Sequence, residues 1–313
     1  MLYKINSPIF IILVIVFFLI IIIFTLSHFE CNSFKISKYS ITNFKNSDKT
    51  SFVFISDFHN KSYKDNYQKL LNEIFELNPH YIVLGGDFID FSKFNKTFKI
   101  INYDKTISFI KELVKYSSKI KTNKNYNLKK ILFTFGNHEL RLKDANTNER
   151  FLKAYNHFID ALNENGIRII DNETIDLSSG ISFSGLSLYT GYYYNKLSFK
   201  KNSEHIEKKV LDEYFLDLDR SRFNIVSFHK PDYFNDLLDY GFDLVLSGHN
   251  HGGLVRLPKV GAIVSPDLDL FPEYDYGKYD FDNKTLIVSS GLGEHFLRLR
   301  LNNKPEICYI SIE

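Results

Sequence analysis

The hydrophobic pattern divides the chain in two. Ile9 to Leu26 is an apolar run of 18 residues in which Thr25 is the one polar member. As a helix rising about 1.5 Å per residue it would span about 27 Å, close to the thickness of a hydrocarbon core. The pattern predicts an N-terminal tail and transmembrane anchor over residues 1–29, with membrane contact through 9–26 and Pro8 at a favourable first helical position. A cleaved signal peptide is the competing reading. The run exceeds the usual hydrophobic region of about 7–15 residues, and no alanine precedes Ala145 to complete a cleavage site. Cys31 follows Phe29 and Glu30 rather than small residues, which argues against a lipoprotein site. Lys35, Lys38, Lys45 and Lys49 outnumber Lys4 across the span. That asymmetry favours a cytoplasmic C-terminal side only mildly, because long domains translocate largely regardless of flanking charge.

Residues 30–50 are polar with alternating apolar positions (Phe34, Ile36, Tyr39, Ile41), which predicts a linker ending in an edge strand. Residues 51–313 form the expected domain. Short apolar runs at Ser51–Ser56, Tyr81–Leu84, Ile131–Phe135, Phe223–Phe228, Phe242–Leu246 and Leu286–Ser289 read as strands, and 167–188 holds three more. Helical spacing covers 64–77, 105–120 and 149–164. Such alternation predicts an α/β sheet with helices on its faces. Tyr189–Tyr194 and 258–284 read as irregular insertions.

Composition narrows the picture. Of 313 residues, 44% are hydrophobic and 24% charged, which excludes a disordered chain. A net charge of +2 gives no overall reason to expect a nucleic-acid surface. Two cysteines, Cys31 and Cys308, make no disulfide scaffold and no CxxC pair. Asn, Lys, Ile, Phe and Tyr are abundant and alanine occurs only four times, so single Lys or Asn residues carry little weight.

The chemistry sits just after the apolar runs. SFVFIS is followed by Asp57 and His59, YIVLGG by Asp87 and Asp90, and ILFTFG by Asn137, His138 and Glu139. FNIVSF is followed by His229, and DLVLSG by His249 and His251. Ligands of open α/β sheets bind outside the carboxyl ends of strands, so five segments deliver polar groups to one edge. Residues two apart in an extended segment point the same way, so Asp57 and His59 are expected to reach one ion together. The turn at Gly248 leaves open whether His249 and His251 share an ion or serve two. The Asp87 carboxylate has two oxygens and could bridge ions about 3.5–4 Å apart. Mixed imidazole and carboxylate ligation suits two divalent ions drawn from Mn, Fe, Zn or Co. Such a pair, less two carboxylates and a hydroxide, leaves about one positive charge for an anionic substrate, as in phosphoryl displacement.

The ordered blocks SDFH (56–59), GGDFID (85–90), GNHE (136–139), FHKPD (228–232) and SGHNHGG (247–253) resemble the calcineurin-like metallophosphoesterase superfamily. The apolar anchor together with SSGLG (289–293) and LRLNNKPEI (299–307) resembles its membrane-associated YkuE/YaeI-like branch, related to UDP-2,3-diacylglucosamine pyrophosphatases. The resemblance implies a four-layer α/β/β/α sandwich. It implies Asp57, His59 and His251 on one metal, Asn137, His229 and His249 on the second, and Asp87 as the bridge. It makes His138 the catalytic histidine, with Glu139 orienting it. Asn60-Lys61 departs from the glycine turn common after the first block, and Phe58 from the usual leucine. Both departures bear on loop shape rather than on ligands.

The expected activity is therefore a membrane-anchored hydrolase that opens a phosphodiester or pyrophosphate bond with a metal-activated hydroxide, on a lipid or cell-envelope substrate. The alternatives are a tethered phosphatase or nucleotide phosphodiesterase for soluble substrates, and a non-catalytic scaffold, which the full ligand set disfavours. His28, His80, His157, His205 and His295 read as structural, and Asp90 as either turn-stabilising or part of the site. The chain has no GxxxxGK[ST] loop and no GxSxG elbow, which excludes a P-loop NTPase and a serine hydrolase of that kind.

Overall fold

A computed structural model of the chain describes residues 8–93, 99–120, 128–144, 149–193, 205–266, 270–294 and 299–313. Helix α1 (Pro8–Cys31) precedes strands β1 (Lys35–Ile41) and β2 (Thr50–Ile55). Helix α2 (Gln68–Glu76), strand β3 (Tyr81–Gly85) and the hairpin of β4 (Asp90–Lys93) and β5 (Lys99–Asn102) follow. Next come α3 (Asp104–Ile120), β6 (Lys130–Thr134), α4 (Asn137–Asp144), α5 (Glu149–Glu164), β7 (Arg168–Ile169), β8 (Glu173–Asp176) and β9 (Ile181–Gly185). The remainder runs α6 (Lys208–Phe215), β10 (Phe223–Ser227), α7 (Phe234–Tyr240), β11 (Leu244–Ser247), β12 (Val255–Leu257), β13 (Gly261–Val264), β14 (Gly277–Phe281), β15 (Lys284–Val288) and β16 (Glu306–Ile312).

Two six-stranded sheets result, ordered β1-β16-β2-β3-β6-β7 and β14-β15-β11-β10-β9-β8. Why the strands read as unbroken apolar runs is visible in their two faces. Phe52 and Phe54 of β2, Tyr81 and Val83 of β3 and Leu132 of β6 share one cluster with Phe183 of β9, Phe223 and Ile225 of β10, and Leu244 and Leu246 of β11. This cluster joins the two sheets; Phe52 and Phe183 have ring centroids 6.4 Å apart. The intervening residues, Val53, Ile55, Ile82, Leu84, Ile131, Phe133, Val226 and Val245, point the other way and pack with α2, α3, α5 and α7 through Leu71, Phe109, Phe158 and Leu237. A strand buried on both faces loses the apolar–polar alternation of a half-exposed one.

The reading of 258–284 as irregular is corrected. That stretch carries β13 and the antiparallel edge strand β14, which pairs Gly277–Phe281 with Val288–Lys284 across a two-residue Asp282-Asn283 turn. Edge position leaves β14 (GKYDF) only half-buried, so it lacks the apolar signal of the central strands. Helices α4, α6 and α7, of 7 to 8 residues each, are too short to show a clear period in sequence. Of Tyr189–Tyr194, Thr190–Tyr193 forms one 3-10 turn and Tyr194 lies outside the described residues.

Candidate metal centre

The strands that carry the candidate ligands are parallel neighbours. β2, β3 and β6 pair side by side in one sheet, and β9, β10 and β11 in the other. Their carboxyl ends converge where the sheets meet. His229, after β10, crosses to the first sheet with Nδ1 2.9 Å from the Gly85 carbonyl at the end of β3.

Asp57 and His59 do not reach the centre as alternate residues of an extended strand. β2 ends at Ile55, and Asp57, His59 and Asn60 have φ of 52°, 45° and 53°. Asp87, His249 and His251 are also left-handed, at 53°, 68° and 49°. Non-glycine residues in this region are strained by about 1–3 kcal/mol each and persist only where their surroundings fix them. Here the amides of Asp57, His59 and Asn60 donate to the carbonyls of Gly86 (2.9 Å), Asp87 (3.0 Å) and Phe88 (3.0 Å), tying the two loops together. Asn60 also accepts the amides of Lys105 (2.7 Å) and Thr106 (3.1 Å) at the start of α3. The departure at this position thus braces the loop.

The donor atoms fall into compact groups. Asp57, His59 and His251 place ligand atoms within 4.8 Å of one another, and so do Asp87, His229 and His249. His249 and His251 therefore belong to different groups. Asn137 adjoins the second group, its Oδ1 3.0 Å from His249 Nδ1. Asp87 Oδ2 lies 3.1 Å from His229 Nε2, 3.8 Å from His138 Nε2 and 4.0 Å from His59 Nε2. Asp57 Oδ1 lies 3.3 Å from His251 Nε2 and 3.4 Å from His229 Nε2. His59 and His251 face each other through their Nε2 atoms at 2.9 Å.

Burial works against charge on both carboxylates, but the imidazoles win. His251 and then His229 hold the Asp57 carboxyl below its usual range. His229, His138 and His59 do the same for Asp87.

The fit to a divalent ion can be tested at His229. A carbonyl oxygen only accepts, so the bond to Gly85 places the ring proton on Nδ1. Among the described residues, Nε2 is buried without a hydrogen-bond partner and faces two carboxylate oxygens. Burial opposes charge on this ring, but the Asp87 and Asp57 carboxylates raise its pKa well above the usual range, so the position between Nε2 and the two oxygens takes a proton or, in its place, a metal cation. Imidazole nitrogens, carboxylates and one amide oxygen are the donor set of a borderline divalent metal. The residues present fit such an ion.

His138 and Glu139 separate in role. The Phe91 amide donates to His138 Nδ1 at 2.9 Å, which leaves the proton of the neutral ring on Nε2, the atom nearer Asp87. Glu139 makes a different set of bonds from the orienting contact that the resemblance implies. Its carboxylate accepts the amides of Asp87 (2.9 Å), Phe88 (2.8 Å), Ile89 (3.1 Å) and Gly136 (2.9 Å). It clamps the backbone that presents Asp87, while a backbone amide orients His138. Burial and then the Asp87 carboxylate push its pKa up to about 7 against the pull of these amides. Asp90 joins the site: with His59 and His138 it forms a third group of donor atoms within 4.8 Å.

Three further residues carry no signal in the sequence. The Tyr193 ring packs on His249 (5.8 Å) and His229 (6.4 Å), and its buried hydroxyl has no hydrogen-bond partner among the described residues. Arg300 and Asn303 lie behind His251; Asn303 Nδ2 donates to the His251 carbonyl at 2.6 Å. They fall within the quoted LRLNNKPEI block, but nothing in that string assigns a task to either. The other histidines sit elsewhere. His80 Nδ1 accepts the Ser51 amide (3.2 Å), His157 meets the Tyr103 hydroxyl (3.1 Å) and His205 pairs with Asp236 (2.8 Å). His28 lies in the last turn of α1, and His295 lies outside the described residues.

Close packing at Gly136 gives a direct prediction. A Cβ there would lie 2.3 Å from Asp87 Oδ1 and 2.4 Å from the Asp87 amide nitrogen. Gly136→Ala must displace Asp87, so it is expected to lower metal content and turnover together, by at least about tenfold, as changes behind a metal ligand do. Unchanged metal content by elemental analysis would contradict that.

Comparison with known proteins is consistent across the chain. The YpbG protein of Bacillus subtilis is 24% identical over 91% of this chain and 88% of its own length. The metallophosphoesterase YkuE of the same organism is 37% identical over a shorter stretch, 29% of this chain and 31% of that protein. The UDP-2,3-diacylglucosamine pyrophosphatase LpxG of Chlamydia trachomatis is 26% identical over 82% of this chain and 81% of its own. Residues 50–253, which span both donor groups, match the family described as calcineurin-like phosphoesterase. With that match over most of its length, and with donors suited to divalent ions at the converging strand ends, the chain belongs to the calcineurin-like phosphoesterase family and is a metal-dependent phosphoesterase.

Proposed function

We propose that this chain is a membrane-anchored, two-ion phosphoesterase that cleaves a phosphodiester or pyrophosphate bond in a lipid-linked substrate. The observation that carries the two-ion reading is Asp87 Oδ2, which sits within 4.0 Å of imidazole nitrogens from both donor groups. Asp57, His59 and His251 would hold one ion, and Asn137, His229 and His249 the other, with Asp87 shared. Ions held there would counter the phosphate's charge and lower the pKa of bound water.

The chain's own groups do the rest. His138 keeps its proton on Nε2 because the Phe91 amide occupies Nδ1. It is thereby set to donate to a phosphate oxygen and then to the leaving group. Glu139 fixes the Asp87 loop through four amides. Tyr193 adds a second donor. Burial, then the Asp87 and Glu139 carboxylates, push its pKa well up, so the hydroxyl keeps its proton. With no acceptor among the described residues, it is available to a water or a phosphate oxygen at the second donor group. Tyr193→Phe is expected to cost about 1–3 kcal/mol of transition-state stabilisation, or roughly 5- to 150-fold in kcat, with the fold intact. A kcat within twofold of the parent would remove Tyr193 from the reaction.

Two observations support the membrane and lipid part. In the helix Pro8–Cys31 the apolar run Ile9–Leu26 carries no charged residue, and none of its side chains is buried in the domain. The chlamydial relatives are named for a diacylated substrate, UDP-2,3-diacylglucosamine. Hydrolysis of a chromogenic phosphodiester and of a diacylated nucleotide sugar by the full chain in detergent, with Mn²⁺ and with chelator, tests the proposal. Metal-dependent cleavage of the diacylated substrate is expected. Cleavage confined to water-soluble esters would restrict the activity to soluble substrates.

A further inference from the structure

The end of the apolar helix is built into the domain rather than hung from it. Ser27 and Cys31 are buried while the preceding residues of α1 are exposed. Ser27 Oγ accepts the Arg300 amide at 2.9 Å. The two oxygens of Glu30 accept the amides of Asn302 (3.1 Å) and Asn303 (2.8 Å). The Cys31 carbonyl, one of those a helix leaves without an internal partner, accepts Lys61 Nζ at 2.9 Å. A cation at a helix C-terminus is also favoured by the helix dipole.

Each of these contacts continues to the same donor group. Asn303 Nδ2 donates to the carbonyls of His251 (2.6 Å) and Gly253 (2.5 Å). Arg300 is buried, donates to the carbonyls of Ser290 and Gly293 at 2.8 Å, and has Nη2 3.5 Å from His251 Nδ1. The Gly293 amide in turn donates to the Asp57 carbonyl at 2.6 Å. Lys61 follows His59 by two residues and pairs with Glu294, the neighbour of Gly293. The bracing therefore falls on Asp57, His59 and His251. Asp87 and His229, of the second group, are fixed instead by Glu139 and by the Gly85 carbonyl.

We infer that the last turn of α1 is a positioning element of the Asp57–His59–His251 group, acting through Glu30, Asn303, Arg300 and Lys61. This rests on the reading of that group as an ion site. The anchor is then a strut and not a tether. It holds the centre at a fixed height and tilt beside the end of the membrane-spanning run, so that a phosphate in the headgroup layer is within its reach. Asn60-Lys61, the departure from the usual glycine turn, supplies one arm of the strut.

The test uses the full chain in phosphatidylcholine nanodiscs, freed of metal and titrated with Co²⁺, whose absorption reports each occupied site. The parent is expected to take two ions. Glu30→Ala and Asn303→Ala are each expected to weaken one ion about 10- to 100-fold and leave the other unchanged, the usual cost of removing the support behind a ligand. The double variant should be no worse than either single one. Phe24→Leu, on the exposed face, should match the parent. Ser27→Ala removes the acceptor of the Arg300 amide and the contact with Cys31 Sγ, and is expected to weaken the same ion by less; it decides the matter where thermal unfolding shows Glu30→Ala to be misfolded. Parent-like affinity for both ions in Glu30→Ala, or in Ser27→Ala in that case, overturns the inference. His251→Ala in the same titration separates the two levels: if it too binds both ions like the parent, the assignment of the donor group is what fails.

Discussion

Asp87→Asn is expected to lower turnover by roughly three orders of magnitude and to remove an ion from the centre. The size follows from the several kcal/mol that a metal pair contributes to charge stabilisation, about 1.4 kcal/mol per factor of ten. Geometry explains why so conservative a change is severe. Asp87 is buried; its Oδ1 accepts the His138 amide at 2.8 Å, and its Oδ2 faces imidazole nitrogens of both donor groups. An asparagine must turn its NH₂ either toward that amide or toward His229 Nε2. In the first case two donors meet. In the second a neutral donor replaces the anion between the two groups. Steady-state hydrolysis with elemental analysis checks this. Turnover within tenfold of the parent, with two ions retained, would remove Asp87 from the bridging position.

Removing residues 1–31 is expected to destabilise the domain by about 2–6 kcal/mol relative to a chain that begins at Thr25. Four hydrogen bonds end on Ser27, Glu30 and Cys31, each with a net worth of about 0.5–1.5 kcal/mol. Both forms lack most of the apolar run, so urea unfolding compares them without a lipid phase. Lys61 makes the loss unsymmetrical: it is buried, and its charge loses the Cys31 carbonyl as an acceptor while the pairing with Glu294 remains. Equal unfolding midpoints and slopes would show the last turn to be a passive connection. If the destabilisation is found, a form cut after Cys31 would under-report the activity of the intact chain.

The site was legible in sequence to an unusual depth because its residues occupy strand ends. Five apolar runs each stop at a carboxylate, an amide or an imidazole, and parallel neighbours must bring those stops to one edge. Asp57 and His59 come together by a different route from the one their spacing predicts. Alternation in an extended segment does not operate beyond Ile55; left-handed turns held by the carbonyls of Gly86, Asp87 and Phe88 aim the two side chains. The family resemblance implies that Glu139 orients His138, whereas four backbone amides claim its carboxylate. A side chain's identity shows that it can accept, and only the fold shows from which donor.

What the sequence determined by itself was the apolar helix, the alternation of strands and helices, and the inventory of metal donors. These are local properties: a run of side chains long enough to cross a bilayer, strands buried on both faces, and residue types with lone pairs to offer. Spacing left open whether His249 and His251 share a group, and only the family resemblance implied a division; the tertiary structure alone decided that Tyr193 sits against the second group. It alone decided that Glu30 and His251 are joined through Asn303, at positions separated by hundreds of residues in the chain and by two hydrogen-bonded steps in space. Such contacts follow from where the chain returns after each strand, and no residue type or local spacing encodes that return.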